Sequence, residues 1–316
     1  MATTGVAVLI AAKDAGATIA RAVRSALAQG QASEIWVFSD GSTDDTAQLA
    51  RACDDASGRL HVVESSKNVG PAAARNALIA ASRSPIVCVL DADDYMLPGR
   101  LDRLLAEAGD DWDFAADDLL FAMEGAEDQI IGHLLRDDDL TPRTILAAEF
   151  VDRCMNDPAR PRREIAFMKP LMRRAFLEAQ LVAYDSSLRL GEDYVLYMQC
   201  LIRGARMRLV SKCGYVAVTR ENSLSGLHTT QDLASFLKAD MALLTEPALN
   251  SATRRALQAH VRQLRRNYDN REMLDLKRRG DFKGVLALMI RRPDSAVGAI
   301  ALAVSSRLSP GRRAHA

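Results

Sequence analysis

Residues 91–94 read Asp-Ala-Asp-Asp and follow directly on the apolar run Ile86–Leu90. A buried strand ending there delivers two or three carboxylates to the open edge of a sheet. Carboxylates so placed repel one another and lose hydration, so they need a cation or a hydrogen-bonded ligand. A hard divalent ion together with a diphosphate group supplies both. Other acids end other apolar segments: Asp14 follows Val6–Ile10, and Asp40 follows Ile35–Phe38. Farther along, Glu192 and Asp193 stand ahead of a periodic apolar segment containing Val195, Met198, Leu201 and Ile202. A carboxylate in that position serves either as a general base or as an N-terminal helix charge.

The elements that must position these acids alternate over the first hundred residues. Val6–Ile10 is continuously apolar, as a strand covered on both faces should be. Thr18–Gln29 places Ile19, Val23, Ala26 and Leu27 on one helical face, and Gly30 stops it. Ile35–Phe38 is the second strand, and Ser42–Asp45 opens the next helix with capping residues and acidic charge. Leu60–Val63 is the third strand. A helix from Gly70-Pro71 to Ala81 has proline at its tolerated first position, and Ile86–Leu90 is the fourth strand. This order predicts an α/β protein with a doubly wound, mostly parallel sheet. Ligands on such sheets bind beyond the carboxyl ends of the strands, where Asp14, Asp40, Asp91 and Asp93 fall. Beyond residue 100, the pattern predicts helices over Arg100–Glu107 and Thr144–Met155, and a strand over Phe114–Phe121 that ends in acids. Pro158–Arg163 reads as an Arg-rich loop, residues 231–290 as helices, and the last dozen residues as frayed.

Composition narrows the function classes. The 316 residues are 48% hydrophobic and 26% charged, as in a soluble globular protein. The net charge of zero is unevenly placed. Residues 251–316 hold 15 Lys/Arg against 5 Asp/Glu, a balance of +10, which leaves −10 for residues 1–250. A basic tail suits an anionic surface, either acidic lipid or a phosphate-bearing partner. No motif or aromatic platform supports nucleic-acid binding. The five cysteines form no CxxC pair and no HExxH occurs, so reduced thiols in a cytoplasmic protein are expected, without a zinc site. The longest uncharged stretches, Met1–Ala12 and Ser295–Ser306, fall short of the roughly 20 residues of a spanning helix. The apolar patch Val285–Ile290 reads as helix packing, with membrane contact as the alternative.

Four blocks in fixed order carry a family resemblance: Val8–Asp14, Phe38–Asp44 (FSDGSTD), Asn68–Asn76 (NVGPAAARN) and Leu90–Asp94 (LDADD). Gly191-Glu-Asp193 lies about a hundred residues downstream. Together they resemble the inverting family 2 glycosyltransferases with the GT-A nucleotide-sugar transferase fold. Phe167–Arg174, Arg189–Tyr194 and Arg220–His228 further resemble bacterial exopolysaccharide enzymes, notably the succinoglycan-type glucosyltransferases.

The resemblance implies an enzyme, with roles for particular residues. Asp40 matches the acid that reads the uracil ring, Arg75 the basic residue flanking the base, and Asp91 the ribose-binding acid. Ala11 and Lys13 fall at the nucleotide-lining end of strand one. Many members carry a base-stacking aromatic where Lys13 stands, so stacking comes from elsewhere or from the Lys stem. Asp93 matches the acid coordinating a metal, Mn²⁺ or Mg²⁺, that bridges the two phosphates. Asp193 matches the catalytic base, with helix capping as the competing role for it or Glu192. Glu192, Lys169, Arg173 and His228 are candidates for acceptor contact, with a solvated basic face or a surface loop as the alternative for the last three; Asp94 reads as a cap or supporting group. The expected donor is a UDP-sugar, UDP-glucose by likeness. The expected acceptor is a polyprenyl-pyrophosphate-linked oligosaccharide, met on the cytoplasmic face of the cell membrane. The implied organisation is a catalytic domain over 1–230, with a nucleotide half (1–100) and an acceptor half (101–230), and a basic helical region over 231–316. Rival readings are a catalytically silent nucleotide-sugar-binding module and a nucleotidyltransferase. The second usually carries a Gly-rich, Lys-bearing phosphate loop, whereas Ala11–Gly16 holds one glycine.

Overall fold

The structure, a computed structural model, describes residues 5–135, 141–155, 164–210, 214–219 and 228–292. Its first half is a parallel β/α succession: β1 (Val6–Ala12), α1 (Ile19–Leu27), β2 (Ala32–Asp40), α2 (Thr46–Arg51), β3 (Leu60–Ser65), α3 (Pro71–Ala81) and β4 (Ile86–Val89). The strands lie in the order β3-β2-β1-β4, all parallel, with β1 at the centre. Val6–Ile10 and all of β4 are buried, which explains why both read as unbroken apolar runs. The parallel direction puts the ends of β1, β2 and β4, and so Asp14, Asp40 and Asp91, on one edge.

A short β5 (Tyr95–Met96) and α4 (Arg100–Ala108) follow. The expected strand over Phe114–Phe121 is two strands, β6 (Phe114–Ala116) and β7 (Leu119–Met123). Asp117 and Asp118 lie between them, and the chain passes there from the main sheet to a second one. Each acid has buried partners: Asp117 accepts from Arg100 Nη2 at 2.6 Å, and Asp118 from the Leu134 and Leu135 amides at 3.0 and 2.8 Å. The expected helix over Thr144–Met155 likewise divides into β9 (Arg143–Ile145) and α5 (Ala147–Cys154), after the hairpin strand β8 (Ala126–His133). Pairing of Thr144 with Arg208 overrides the local helical pattern.

A 3-10 turn (Ile165–Phe167) leads into β10 (Leu171–Arg173), α6 (Arg174–Ala179), α7 (Glu192–Ile202), β11 (Met207–Leu209) and β12 (Tyr215–Thr219). The main sheet has eight strands, β3-β2-β1-β4-β10-β6-β11-β9, and the second has four, β5-β12-β7-β8. β10 runs antiparallel between β4 and β6 and joins the halves.

Three helices close the described chain: α8 (Thr230–Leu243), α9 (Ser251–Arg278) and α10 (Phe282–Arg291). Thr229 and Asp232 form a reciprocal capping box on α8, and Asn250 caps α9. Phe236, Leu237, Leu257 and Leu264 belong to the same core as β1 and β4. Asp240, fully buried, accepts from Tyr194 of α7 at 3.1 Å and pairs with His260 of α9 at 2.9 Å. No helix among the described residues is long and apolar enough to cross a membrane. The Arg-rich loop and the C-terminal dozen of the sequence reading lie outside the described residues.

Candidate active site

The loops after β1 and β2 are laced together. Asp14 takes a positive φ of 48° and accepts from the Thr43 amide at 2.7 Å. The amides of Ala15 and Gly16 donate to Thr46 Oγ1 and Asp44 Oδ2, both at 2.8 Å. Asp44 thus ties two loops together, while Asp45, at the N-cap of α2, makes no side-chain cap. Gly41 (φ 62°) lets the loop before α3 come close: a Cβ there would stand 2.7 Å from the Asn68 nitrogen. That approach lets buried Asp40 accept from the Val69 and Gly70 amides at 2.6 and 2.9 Å. Its carboxylate fixes the entry to α3. Lys13 donates to Gly41 O at 3.2 Å and pairs with Asp14 at 3.1 Å, so its stem borders the same corner. Ala11 lies in β1 beside Phe38.

Next to this corner, two cations and three carboxylates form one cluster. Arg75, projecting from α3, donates to Asp91 Oδ1 at 2.9 Å, Asp193 Oδ1 at 3.0 Å and Glu192 Oε1 at 2.9 Å. Lys169 donates to Asp193 Oδ2 at 2.7 Å and stands 3.0 Å from Asp91 Oδ2. Asp91 and Asp193 are therefore bridged twice, once through each pair of oxygens. Burial opposes the charge on Asp91, but Lys169 and Arg75 outweigh it and hold the carboxyl down at about 2. Burial likewise works against the Lys169 ammonium, yet Asp193 and Asp91 raise its pKa well above the ordinary value. Asp91, Lys169 and Arg75 are therefore charged at neutral pH.

Each member is held from behind. The Lys169 carbonyl accepts from Arg100 Nη2 at 2.7 Å, and Arg100 is itself paired with Asp117 in the core. The Arg75 guanidinium lies over the Tyr184 ring, 5.4 Å from its centroid. Asp193 is the second residue of α7, which follows Gly191 in the left-handed conformation (φ 76°), where a Cβ would come within 2.5 Å of the Phe236 ring. Only glycine allows α8 to press against the turn carrying Glu192 and Asp193.

The remaining acids of Asp-Ala-Asp-Asp divide their roles. Asp94 is buried, accepting from Val218 N at 2.9 Å and from the Tyr215 hydroxyl at 2.8 Å. The same hydroxyl accepts from Asp91 N at 3.0 Å. Burial, together with the charges of Asp91 and Asp93, pushes Asp94 up to about 8. It anchors the turn. Asp93 is half-buried, and its carbonyl accepts from Arg21 at 2.6 Å. Among the described residues no group of three or more His, Cys, Asp or Glu forms a closed metal cage. One or two aspartates at the mouth suit a Mg²⁺-like ion, which takes much of its shell from substrate phosphates and water. The donor chemistry at Asp93 therefore fits the metal that the motif implies.

Comparison with known proteins agrees with this geometry. Residues 7–140 match the profile of Glycosyl transferase family 2. The chain is 47% identical to the succinoglycan biosynthesis protein ExoU of Rhizobium meliloti (strain 1021) over 292 residues, covering 92% of this chain and 84% of that one. This chain is a family 2 glycosyltransferase. It is also 30% identical to ExoO, another succinoglycan biosynthesis protein of the same organism, over 95% of this chain and 85% of the relative. Solved structures share the GT-A fold. Staphylococcus aureus TarS 1–349 in complex with UDP-GlcNAc has a TM-score of 0.59 at 16% identity, covering 92% of both chains. The mannosyltransferase PcManGT from Pyrobaculum calidifontis, in complex with GDP-Man and Mn²⁺, has a TM-score of 0.58 at 14% identity, covering 97% of this chain and 81% of that one.

In this family 2 glycosyltransferase, Arg75, Asp91, Lys169, Glu192 and Asp193 form the cluster, flanked by Asp40 and Asp93. Arg173, one of the expected acceptor contacts, ends β10. Its guanidinium donates to the Trp112 carbonyl at 2.7 Å and lies 4.2 Å from the Trp112 ring centroid. Arg174 similarly donates to the Ser84 and Ile79 carbonyls at 2.8 and 2.7 Å. Both arginines serve the sheet. His228 precedes the N-cap of α8 and interacts electrostatically with Asp232. Tyr184, Tyr215 and Arg100 escaped the sequence reading, because each reaches the site from a segment with no motif of its own.

Proposed function

We propose that this glycosyltransferase moves glucose from UDP-glucose to a lipid-pyrophosphate-linked oligosaccharide in the assembly of a succinoglycan-like exopolysaccharide. The observation that carries the reading is the placement of Asp193. It lies in the first turn of α7, among the residues that bridge it to the expected nucleotide-binding acid Asp91. The names of the relatives, ExoU and ExoO, support the polysaccharide class.

In the proposed reaction, Asp40 accepts the ring N–H of the uracil and Asp91 binds the ribose. Asp93 would hold the divalent ion, which supplies charge neutralisation to the departing diphosphate. Arg75 and Lys169 set the orientation of Asp91 and Asp193 before substrate arrives, so little reorganisation is needed on binding. Asp193 takes the proton from an acceptor hydroxyl as its oxygen bonds to the anomeric carbon. The bond from that carbon to the diphosphate breaks on the opposite face, and the configuration inverts. Glu192, tied to Arg75, borders the acceptor side.

The test uses membranes bearing lipid-linked oligosaccharide, incubated with purified protein, Mn²⁺ and radiolabelled UDP-glucose. Label should enter the organic-extractable lipid fraction. Label entering only from another nucleotide-sugar would replace the donor, and label remaining water-soluble would replace the acceptor.

A further inference from the structure

α10 is an amphipathic helix turned outward. α10 packs on α9 and buries Val285, but Phe282, Leu286 and Ile290 are 74%, 60% and 72% exposed. Spaced four residues apart, these three form one stripe along the helix. The apolar run that reads as packing therefore buries one residue and presents three to solvent. A stripe of this kind on a stable helix marks a contact surface.

The charge around the stripe identifies the partner. Residues 277–292 contain six Lys/Arg and one Asp. Lys283 and Arg291 are exposed on α10 itself, and Arg292 follows it. A second copy of the chain, docked symmetrically, would bring this basic patch against itself. The 24 residues after Arg292 add three Arg and one Asp, the same sign again. An anionic lipid surface satisfies both features: its headgroups pair with the Lys and Arg, and its acyl boundary accepts Phe282, Leu286 and Ile290.

The geometry points to α10 as a membrane-docking helix that lies in the plane of an anionic bilayer with its apolar stripe inserted. This goes beyond the proposed transfer reaction and does not depend on its donor. It would bring the enzyme to a lipid-borne acceptor.

The experiment is co-sedimentation of the full chain with phosphatidylcholine vesicles, with and without phosphatidylglycerol. The wild-type protein should bind only the anionic vesicles, and more weakly as salt rises. The triple variant Phe282→Ser, Leu286→Ser, Ile290→Ser should bind at least about tenfold more weakly, from the lost apolar partitioning. The double variant Lys283→Glu, Arg291→Glu should lose binding and much of its salt dependence. Both variants should keep the wild-type melting temperature and nucleotide-induced stabilisation. That readout separates failed docking from a failed donor assignment. Wild-type binding that ignores phosphatidylglycerol, or a triple variant that binds like wild type, would overturn the proposal. A fall in melting temperature in the triple variant would instead place the stripe against the chain's own tail. A wild-type dimer that the triple variant breaks would assign it to a second copy.

Discussion

Lys169 meets Asp193 at 2.7 Å through the carboxylate oxygen that Arg75 leaves open. The candidate base is thus held in one orientation by two cations, each of which also holds Asp91. Removing the Lys169 charge leaves three carboxylates sharing one guanidinium in a poorly hydrated site. Lys169→Met should destabilise the protein by on the order of 3 kcal/mol, the usual penalty for breaking a buried ion pair from one side. Urea unfolding measures it, and unchanged stability would mean that water, not Lys169, balances Asp91 and Asp193.

Asp193→Asn keeps the shape and removes the basicity. Donor affinity should stay within a few-fold of wild type, while turnover falls about 10²–10⁴-fold, the range for a general base. Calorimetric titration with UDP, alongside a transfer assay, separates the two. Loss of UDP binding with turnover would make Asp193 a structural anchor for Arg75.

The ion cluster also sets a pH dependence. Asp91 is held at about 2 when folded, below the ordinary 3.8, so its contribution to stability is complete above about pH 4 and fades as pH falls toward 2. Lys169 is raised above 10.5, so its contribution holds below that pH and fades above it. The melting-temperature gap between wild type and Asp91→Asn should be present at pH 6 and shrink at pH 3. A gap that widens in acid would reverse the sign of the shift.

Gly191 carries the strain of bringing α8 to the site. Gly191→Ala places a methyl group in the left-handed region and into the Phe236 ring. It should cost about 2–4 kcal/mol from the backbone and overpacking penalties combined, and lower kcat more than KM. Guanidinium unfolding with steady-state kinetics gives both. A neutral effect would show that α8 does not constrain the Glu192–Asp193 turn.

Local pattern revealed the first hundred residues because their signals are local. The apolar runs of β1 and β4, and Pro71 opening α3, carry their structure within a few residues. The residues after 100 were less legible. Asp117 and Asp118 look like the end of a strand, because only the tertiary fold shows β6 and β7 entering different sheets. Lys169 and Arg173 are cations in one short segment, yet one reaches the cluster and the other binds carbonyls behind it. The insertion of β10 between β4 and β6 decides which is which. Tyr184 and Tyr215 reach the site only through long-range packing, and the outward turn of α10 shows only in which of its residues are buried.

The most direct test of the site is stabilisation by nucleotide. Thermal unfolding of the wild type and Asp93→Ala is followed with UDP, UDP-glucose and GDP-mannose, each with and without Mn²⁺. A ligand that binds the native state raises its melting temperature. The wild type should be stabilised by UDP and UDP-glucose only when Mn²⁺ is present, and Asp93→Ala by neither. Equal stabilisation without metal, or an undiminished response in Asp93→Ala, would contradict the assignment of Asp-Ala-Asp-Asp as the metal-diphosphate site.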